Sequence, residues 1–225
     1  METLAINGGK PVRDTKIFYG RQWIGEDDIE AVANVLRGDL ITCGPHVAAL
    51  ERELAEYTGA KHADAVSNGT AALHCACLAA GIGEGYEVIT TPLTFAASAN
   101  CAVYVGATPV FADIDPETYN IDPDSIEAHI TDKTKAVVAV AYTGQSVEYD
   151  RIQKICDKHG LILITDAAHA IGTKYKGQPV GSIGDMTCFS FHPVKTVTSG
   201  EGGAITTNDP ELYRKLRLAS QHGIV

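Results

Sequence analysis

The sequence has little of what marks several large protein classes. Aromatic residues fill 7% of its 225 positions, with a single tryptophan and two methionines. No stretch approaches the roughly 18 consecutive apolar residues of a membrane span, so no transmembrane helix and no membrane partner are expected. The opening METLAINGGKPVR lacks the apolar core of a secretory signal, so none is expected there. Six cysteines scattered from Cys43 to Cys188 are too sparse for a disulfide scaffold. Cys75 and Cys77 have no second cysteine pair to complete a zinc site, so no metal is expected. Free thiols and a cytoplasmic location follow. Without secretion, the glycosylation sequon at Asn68-Gly69-Thr70 is accidental.

Positive charge is also scarce. Eighteen basic residues face 28 acidic ones, a net charge of -10, and no more than two basic residues adjoin. Nucleic-acid binding needs clustered Lys and Arg, so that class of partner is excluded. Neither a G-x-G-x-x-G fingerprint nor a P-loop occurs, which removes support for a dinucleotide or nucleoside triphosphate cradle. A nicotinamide oxidoreductase would leave Lys195 without a role.

What remains is ordinary globular composition, with 45% hydrophobic and 20% charged residues. A chain of this size buries roughly 70% of its unfolded surface, enough for a true core. The first 25 residues read as an extended arm. Residues 27–37 place Ile29, Val32, Ala33 and Leu36 on one helical face, with Gly38 as a stop. A second helix opens at Pro45 and closes at Gly59. Strands and helices then alternate: strands at 63–66, 87–90, 109–112, 136–141 and 161–165, and helices at 69–80, 95–105, 122–129 and 149–159. The continuous apolar runs, LILIT above all, suit strands buried on both faces of a parallel sheet. MTCFSF and GGAITT read as further strands, followed by a helix from Pro210. The expected fold class is α/β, a three-layer α/β/α sandwich around a mostly parallel sheet. Ligands bind such sheets at the carboxyl ends of the strands, which directs attention to the loops there.

Three of those loops carry chemistry. Ser67-Asn68-Gly69-Thr70 leaves a strand and opens a helix, where free amides and the helix dipole favour an anion. Asp166 ends the most apolar strand, where a carboxylate is poorly solvated without a partner, and His169 follows three residues later. Ser190-Phe191-His192-Pro193-Val194-Lys195 ends another strand, and a lysine beside an apolar strand end is a candidate desolvated nucleophile. Gly200, Gly202 and Gly203 permit close backbone approach to a ligand. Each feature has an ordinary structural reading alone. Together they fit pyridoxal 5'-phosphate, which needs an anion cradle, an amine for an imine, and a carboxylate at its ring nitrogen. Phe95 is placed to stack on the ring.

SNGTAALH (67–74), TPLTFAASAN (91–100), FADIDPETYNI (111–121), TDAAHAIG (165–172) and SFHPVKTVTSGEGGAITTND (190–209) together resemble the DegT-type sugar-nucleotide aminotransferases, of aspartate aminotransferase fold type I. YTGQSVE (142–148) and SFHPVKTVTSGEGG are most similar to the pseudaminic acid branch. The resemblance implies that Lys195 carries the cofactor and shuttles a proton, and that Asp166 pairs with the pyridine nitrogen. It implies that Phe95 stacks on the ring, and that Gly69, Thr70, the Ala71 amide and Ser190 hold the phosphate. His169 would lie near the cofactor's 3'-oxygen, and His192 and Gln145 would line the substrate pocket. Lysine at 195 separates aminotransferases from the family's 3-dehydratases, which carry histidine there. The implied reaction moves an amino group from L-glutamate to C4 of a UDP-4-keto-6-deoxy-N-acetylhexosamine, in a homodimer. Residues 1–25 would be an N-terminal arm and 26–225 the large cofactor-binding domain, with the small C-terminal domain missing. The alternative is a truncated, non-catalytic fragment that binds the cofactor or the sugar.

Overall fold

The apolar runs of the sequence become the strands of one seven-stranded sheet, and the periodic segments between them become its two covering layers. The computed structural model describes residues 3–224; the first two residues of the expected arm and Val225, the expected end of the large domain, lie outside that range. The chain runs α1 (Glu26–Arg37), α2 (Pro45–Thr58), β1 (His62–Val66), α3 (Gly69–Ala79), β2 (Glu87–Thr90), α4 (Ala97–Tyr104), β3 (Thr108–Phe111), α5 (Pro123–Ala128) and β4 (Thr134–Val140). It continues through α6 (Tyr149–His159), β5 (Ile162–Asp166), a short hairpin of β6 (Lys174–Tyr175) and β7 (Gln178–Pro179), β8 (Met186–Ser190), β9 (Gly203–Thr207) and α7 (Pro210–Ser220).

The sheet order is β1-β9-β8-β5-β4-β2-β3. The neighbours from β8 through β3 are parallel, and β9 alone runs antiparallel to both β8 and β1. Both faces of the sheet are dry. In β4, Val137 and Ala139 join a core under α2, α5 and α6, while Ala136 and Val138 join a second core under α3, α4 and α7. That two-sided burial is why β4 and β5 read as unbroken apolar runs rather than alternating ones. α3 is apolar nearly all round because α4, α7 and the sheet enclose it.

Helix ends follow local chemistry. Asn68 caps α3 by accepting a hydrogen bond from the Ala71 amide at 2.8 Å. Asp122 and Asp209 cap α5 and α7, each followed by proline in the first turn. Gly59 and Gly160 end α2 and α6 in the left-handed conformation.

Three details differ from expectation. α4 begins at Ala97 rather than Phe95, so Phe95 belongs to the loop and stands 75% exposed. The β6–β7 hairpin was not anticipated; Lys176 and Gly177 turn it with φ of 49° and 87°, the pair of positive angles that a two-residue hairpin needs. The apolar face of α1 is not buried: Ile29, Val32 and Leu36 are all exposed. Both faces of the sheet are already covered by other helices, so this stripe finds no seat within the described residues.

Candidate active site

The carboxyl ends of β1, β5 and β8 converge with the N-terminus of α3 around a cavity of about 460 Å³. Gly69, Thr70, Phe95, Asp166, Ser190, His192 and Lys195 all line it. A recess of about 60 Å³ beside it is lined by His169 and shares Phe95, Asp166 and Lys195 with the larger space. A broad groove of about 920 Å³ adjoins Lys195 on the outer side, between Tyr19–Ile24 of the arm, α1 and the loop 193–200.

Close packing builds the anion end. A Cβ on Gly69 would lie 2.8 Å from the Ser190 Cβ, and one on Gly203 would lie 2.5 Å from the Asn68 carbonyl. Glycine at both positions lets α3, β8 and β9 meet at backbone distance. Gly203 therefore serves this junction between protein segments, where the sequence had suggested approach to a ligand. Among the described residues, the Gly69 and Thr70 amides have no hydrogen-bond acceptor. With the hydroxyls of Thr70 and Ser190 they form a donor set at a helix N-terminus, which suits a phosphate dianion. Ala71 departs from expectation: its amide is already committed to the Asn68 side chain and is not free for a ligand.

The carboxylate end lies at the tip of β5. Asp166 is 6% exposed. One of its oxygens accepts from the Ser98 hydroxyl at 2.7 Å and the other from the Ala168 amide at 3.1 Å. Both donors are neutral, and among the described residues no cation lies within ion-pair distance of this carboxylate. Cys188 forms part of the adjacent wall; complete burial pushes its thiol well above the usual range and the Asp166 charge adds to that, so it is unreactive lining.

The amine lies between the two. Lys195 Nζ is 2.7 Å from Nε2 of His169. Burial lowers the lysine pKa from its ordinary 10.5, and the Asp166 charge partly opposes that shift. Burial likewise lowers His169 from 6.5, the Lys195 charge adds to the effect, and Asp166 opposes it. A neutral imidazole with its proton on Nδ1 accepts from the Lys195 ammonium. The lysine is half-buried rather than dry, so it is only partly desolvated.

Gln145 is not brought in. It is exposed beyond the turn Tyr142–Gly144 and lines neither cavity. Its expected place is taken by Tyr142 and Thr143, which do line the recess. Conversely, Ser98 and Thr94 were missed. A serine between apolar residues of a buried helix, within TPLTFAASAN, was the available signal.

Comparison with known proteins bears on the family and the fold. Residues 22–225 match the model of the DegT/DnrJ/EryC1/StrS aminotransferase family. The spore coat polysaccharide biosynthesis protein SpsC of Bacillus subtilis is 50% identical over 206 residues, covering 92% of this chain and 53% of that protein. Helicobacter pylori PseC, described as an aminotransferase involved in the biosynthesis of pseudoaminic acid, superposes with a TM-score of 0.88 at 38% identity, covering 94% of this chain and 57% of that one. The PLP-form of the putative sugar aminotransferase Spr1654 from Streptococcus pneumoniae gives a TM-score of 0.88 at 36% identity, covering 93% and 59%. The chain spans about half the length of the curated relatives it matches. By sequence over nearly its whole length, and by fold, the chain belongs to the DegT/DnrJ/EryC1/StrS aminotransferase family.

Proposed function

We propose that this chain supplies the cofactor-bearing part of a pyridoxal-phosphate-dependent sugar aminotransferase. One observation carries the reading: an amine, a carboxylate without a cation, and a donor-rich helix N-terminus open on the same cavity. When bound, pyridoxal phosphate supplies an aldehyde that condenses with amines and a ring that accepts electrons. The Gly69 and Thr70 amides, with the Thr70 and Ser190 hydroxyls, would hold its phosphate. Asp166 would accept a hydrogen bond from its ring nitrogen, and Phe95 would cover a ring face. Lys195 would anchor the aldehyde and, once displaced, carry a proton to or from the substrate carbon. His169 would orient Nζ, and His192 would face the substrate.

The finer reading is transfer from L-glutamate to C4 of a UDP-4-keto-6-deoxy-N-acetylhexosamine, of the kind used in pseudaminic-acid-type surface glycans. The likeness to the Helicobacter pylori enzyme supports it, as does the relation to a polysaccharide biosynthesis protein. A homodimer would cover the exposed apolar stripe of α1. Six unpaired cysteines, five of them buried, agree with a cytoplasmic protein, and no helix among the described residues is long and apolar enough to cross a membrane.

A second reading is cofactor binding without turnover. Phe95 and Lys195 stay open to solvent here, whereas amino transfer works in a site closed to water. Product formation by the 225-residue chain alone excludes it.

The test is optical and chemical. Incubated with pyridoxal phosphate, the protein gains a visible absorption band, borohydride erases the band, and the mass of the reduced cofactor appears on Lys195. Lys195→Ala shows neither change. A protein that stays colourless refutes the assignment. For the substrate, glutamate with a UDP-linked 4-keto sugar yields an amine at C4 by NMR, faster than with its dTDP counterpart.

A further inference from the structure

Ser98 has a role that neither the motif nor the cofactor reading assigns. It lies in the first turn of α4, 68 residues before Asp166 in sequence, and is fully buried. Its hydroxyl touches three acceptors or partners: Asp166 Oδ2 at 2.7 Å, Thr94 Oγ at 2.7 Å and the Phe95 carbonyl at 3.3 Å. A hydroxyl has one proton. A carboxylate only accepts, and the contact to Asp166 is the short, charge-assisted one, so the Ser98 proton goes there. Thr94 is then the donor to Ser98. The result is a directed chain, Thr94 to Ser98 to Asp166, running from the loop that carries Phe95 into the tip of β5.

With the Ala168 amide on the other oxygen, the carboxylate is pinned at both ends. Neither donor carries a charge, so the plane of the group is set while its charge remains unneutralised. The reverse arrangement, Ser98 donating to the Phe95 carbonyl of the preceding loop, would leave a buried carboxylate oxygen without a partner.

We propose that Ser98 is a positioning residue, fed by Thr94, that fixes the orientation of the Asp166 carboxylate toward the cavity. It lines neither cavity. The proposal rests on the cofactor reading for its consequence, because an aimed carboxylate matters only if a protonated ring nitrogen meets it.

Two measurements separate the ideas. The first needs no cofactor: crystal structures of unliganded Ser98→Ala and Ser98→Thr. The Asp166 carboxylate should rotate out of its plane in the alanine variant and return to it in the threonine variant, which keeps the hydroxyl. The second uses pyridoxal phosphate. Ser98→Ala should retain it about tenfold less tightly, because a turned carboxylate weakens the charge-assisted bond it would make to the ring nitrogen. It should also alter the circular dichroism of the bound chromophore and the pH at which its visible band titrates, and Ser98→Thr should restore both. Thr90→Val, which removes another buried hydroxyl, at the end of β2, should lower the melting temperature and leave the spectrum alone.

If Ser98→Ala does not fold, Thr94→Val removes the upstream donor from a partly exposed site and should move the spectrum in the same direction by less. An unmoved carboxylate together with an unchanged spectrum overturns the positioning role, even if stability falls. A wild-type chain that binds no cofactor, while Ser98→Ala still turns the carboxylate, refutes the cofactor reading and leaves the positioning role standing.

Discussion

Two buried carboxylates, both on strands of the same sheet, are treated in opposite ways. Asp64 lies in the middle of β1, fully buried. One of its oxygens meets Arg217 of α7 at 2.7 Å, and the same guanidinium reaches Glu51 of α2 at 2.9 Å. The charge is neutralised within the chain, and the arrangement ties α2, β1 and α7 together. The other Asp64 oxygen has no partner among the described residues. Asp166, at the tip of β5, has a donor on each oxygen and, among the described residues, no cation within ion-pair distance. Burial alone does not separate a structural acid from a functional one. We propose that the kind of partner does: a carboxylate in a direct ion pair holds elements together, whereas one bonded only to neutral donors would keep its charge for a cation that enters the cavity.

The largest effect that would test this contrast is on stability. Arg217→Met strands Asp64, while Glu51 keeps the Ala65 amide, and should cost about 3 kcal/mol in denaturant unfolding, the low end for orphaning a buried charge because Arg217 is itself partly exposed. Adding Asp64→Leu should recover most of that loss. Equal stability of the single variant would show that the pair holds nothing.

Asp166→Asn should behave differently. It removes no internal cation partner, so unfolding should change by less than about 1 kcal/mol, while the visible band formed with pyridoxal phosphate weakens or disappears. A large loss of stability with intact cofactor binding would make Asp166 the structural acid and break the comparison.

The smallest effect concerns pH. Burial holds the Lys195 pKa below 10.5, so a larger share of the amine is neutral at any given pH. Borohydride trapping of the cofactor should therefore rise with pH and reach half its plateau below 10.5. Asp166 opposes that shift by favouring the ammonium, so Asp166→Asn should move the midpoint lower still. A midpoint that moves upward would contradict the charge relation between the two residues.

Much of this was legible in sequence because it depends on local chemistry. LILIT had to be a doubly buried strand, since neither face offers a polar side chain until Thr165. Asn68 before Gly69, Asp122 before Pro123 and Asp209 before Pro210 mark helix starts through hydrogen bonds two or three residues long. The nearness of Gly69, Asp166 and Lys195 was also inferable, since strand ends of a parallel sheet share one edge. The partners of Asp64 were not: Arg217 lies 153 residues away, and no periodicity links them. The commitment of the Ala71 amide to its cap, the exposure of Gln145 and the contact of Ser98 with Asp166 escaped for the same reason. Each depends on side-chain direction rather than residue type.

The order of apolar and polar residues alone thus determined the layers and the strand ends, and it singled out the amine, the acid and the anion cradle that we propose as the site, because burial and capping act over a few neighbours. Only the folded chain decided which acid receives a cation and which is left to neutral donors, because a charge is paired across the sheet by elements that the sequence holds far apart.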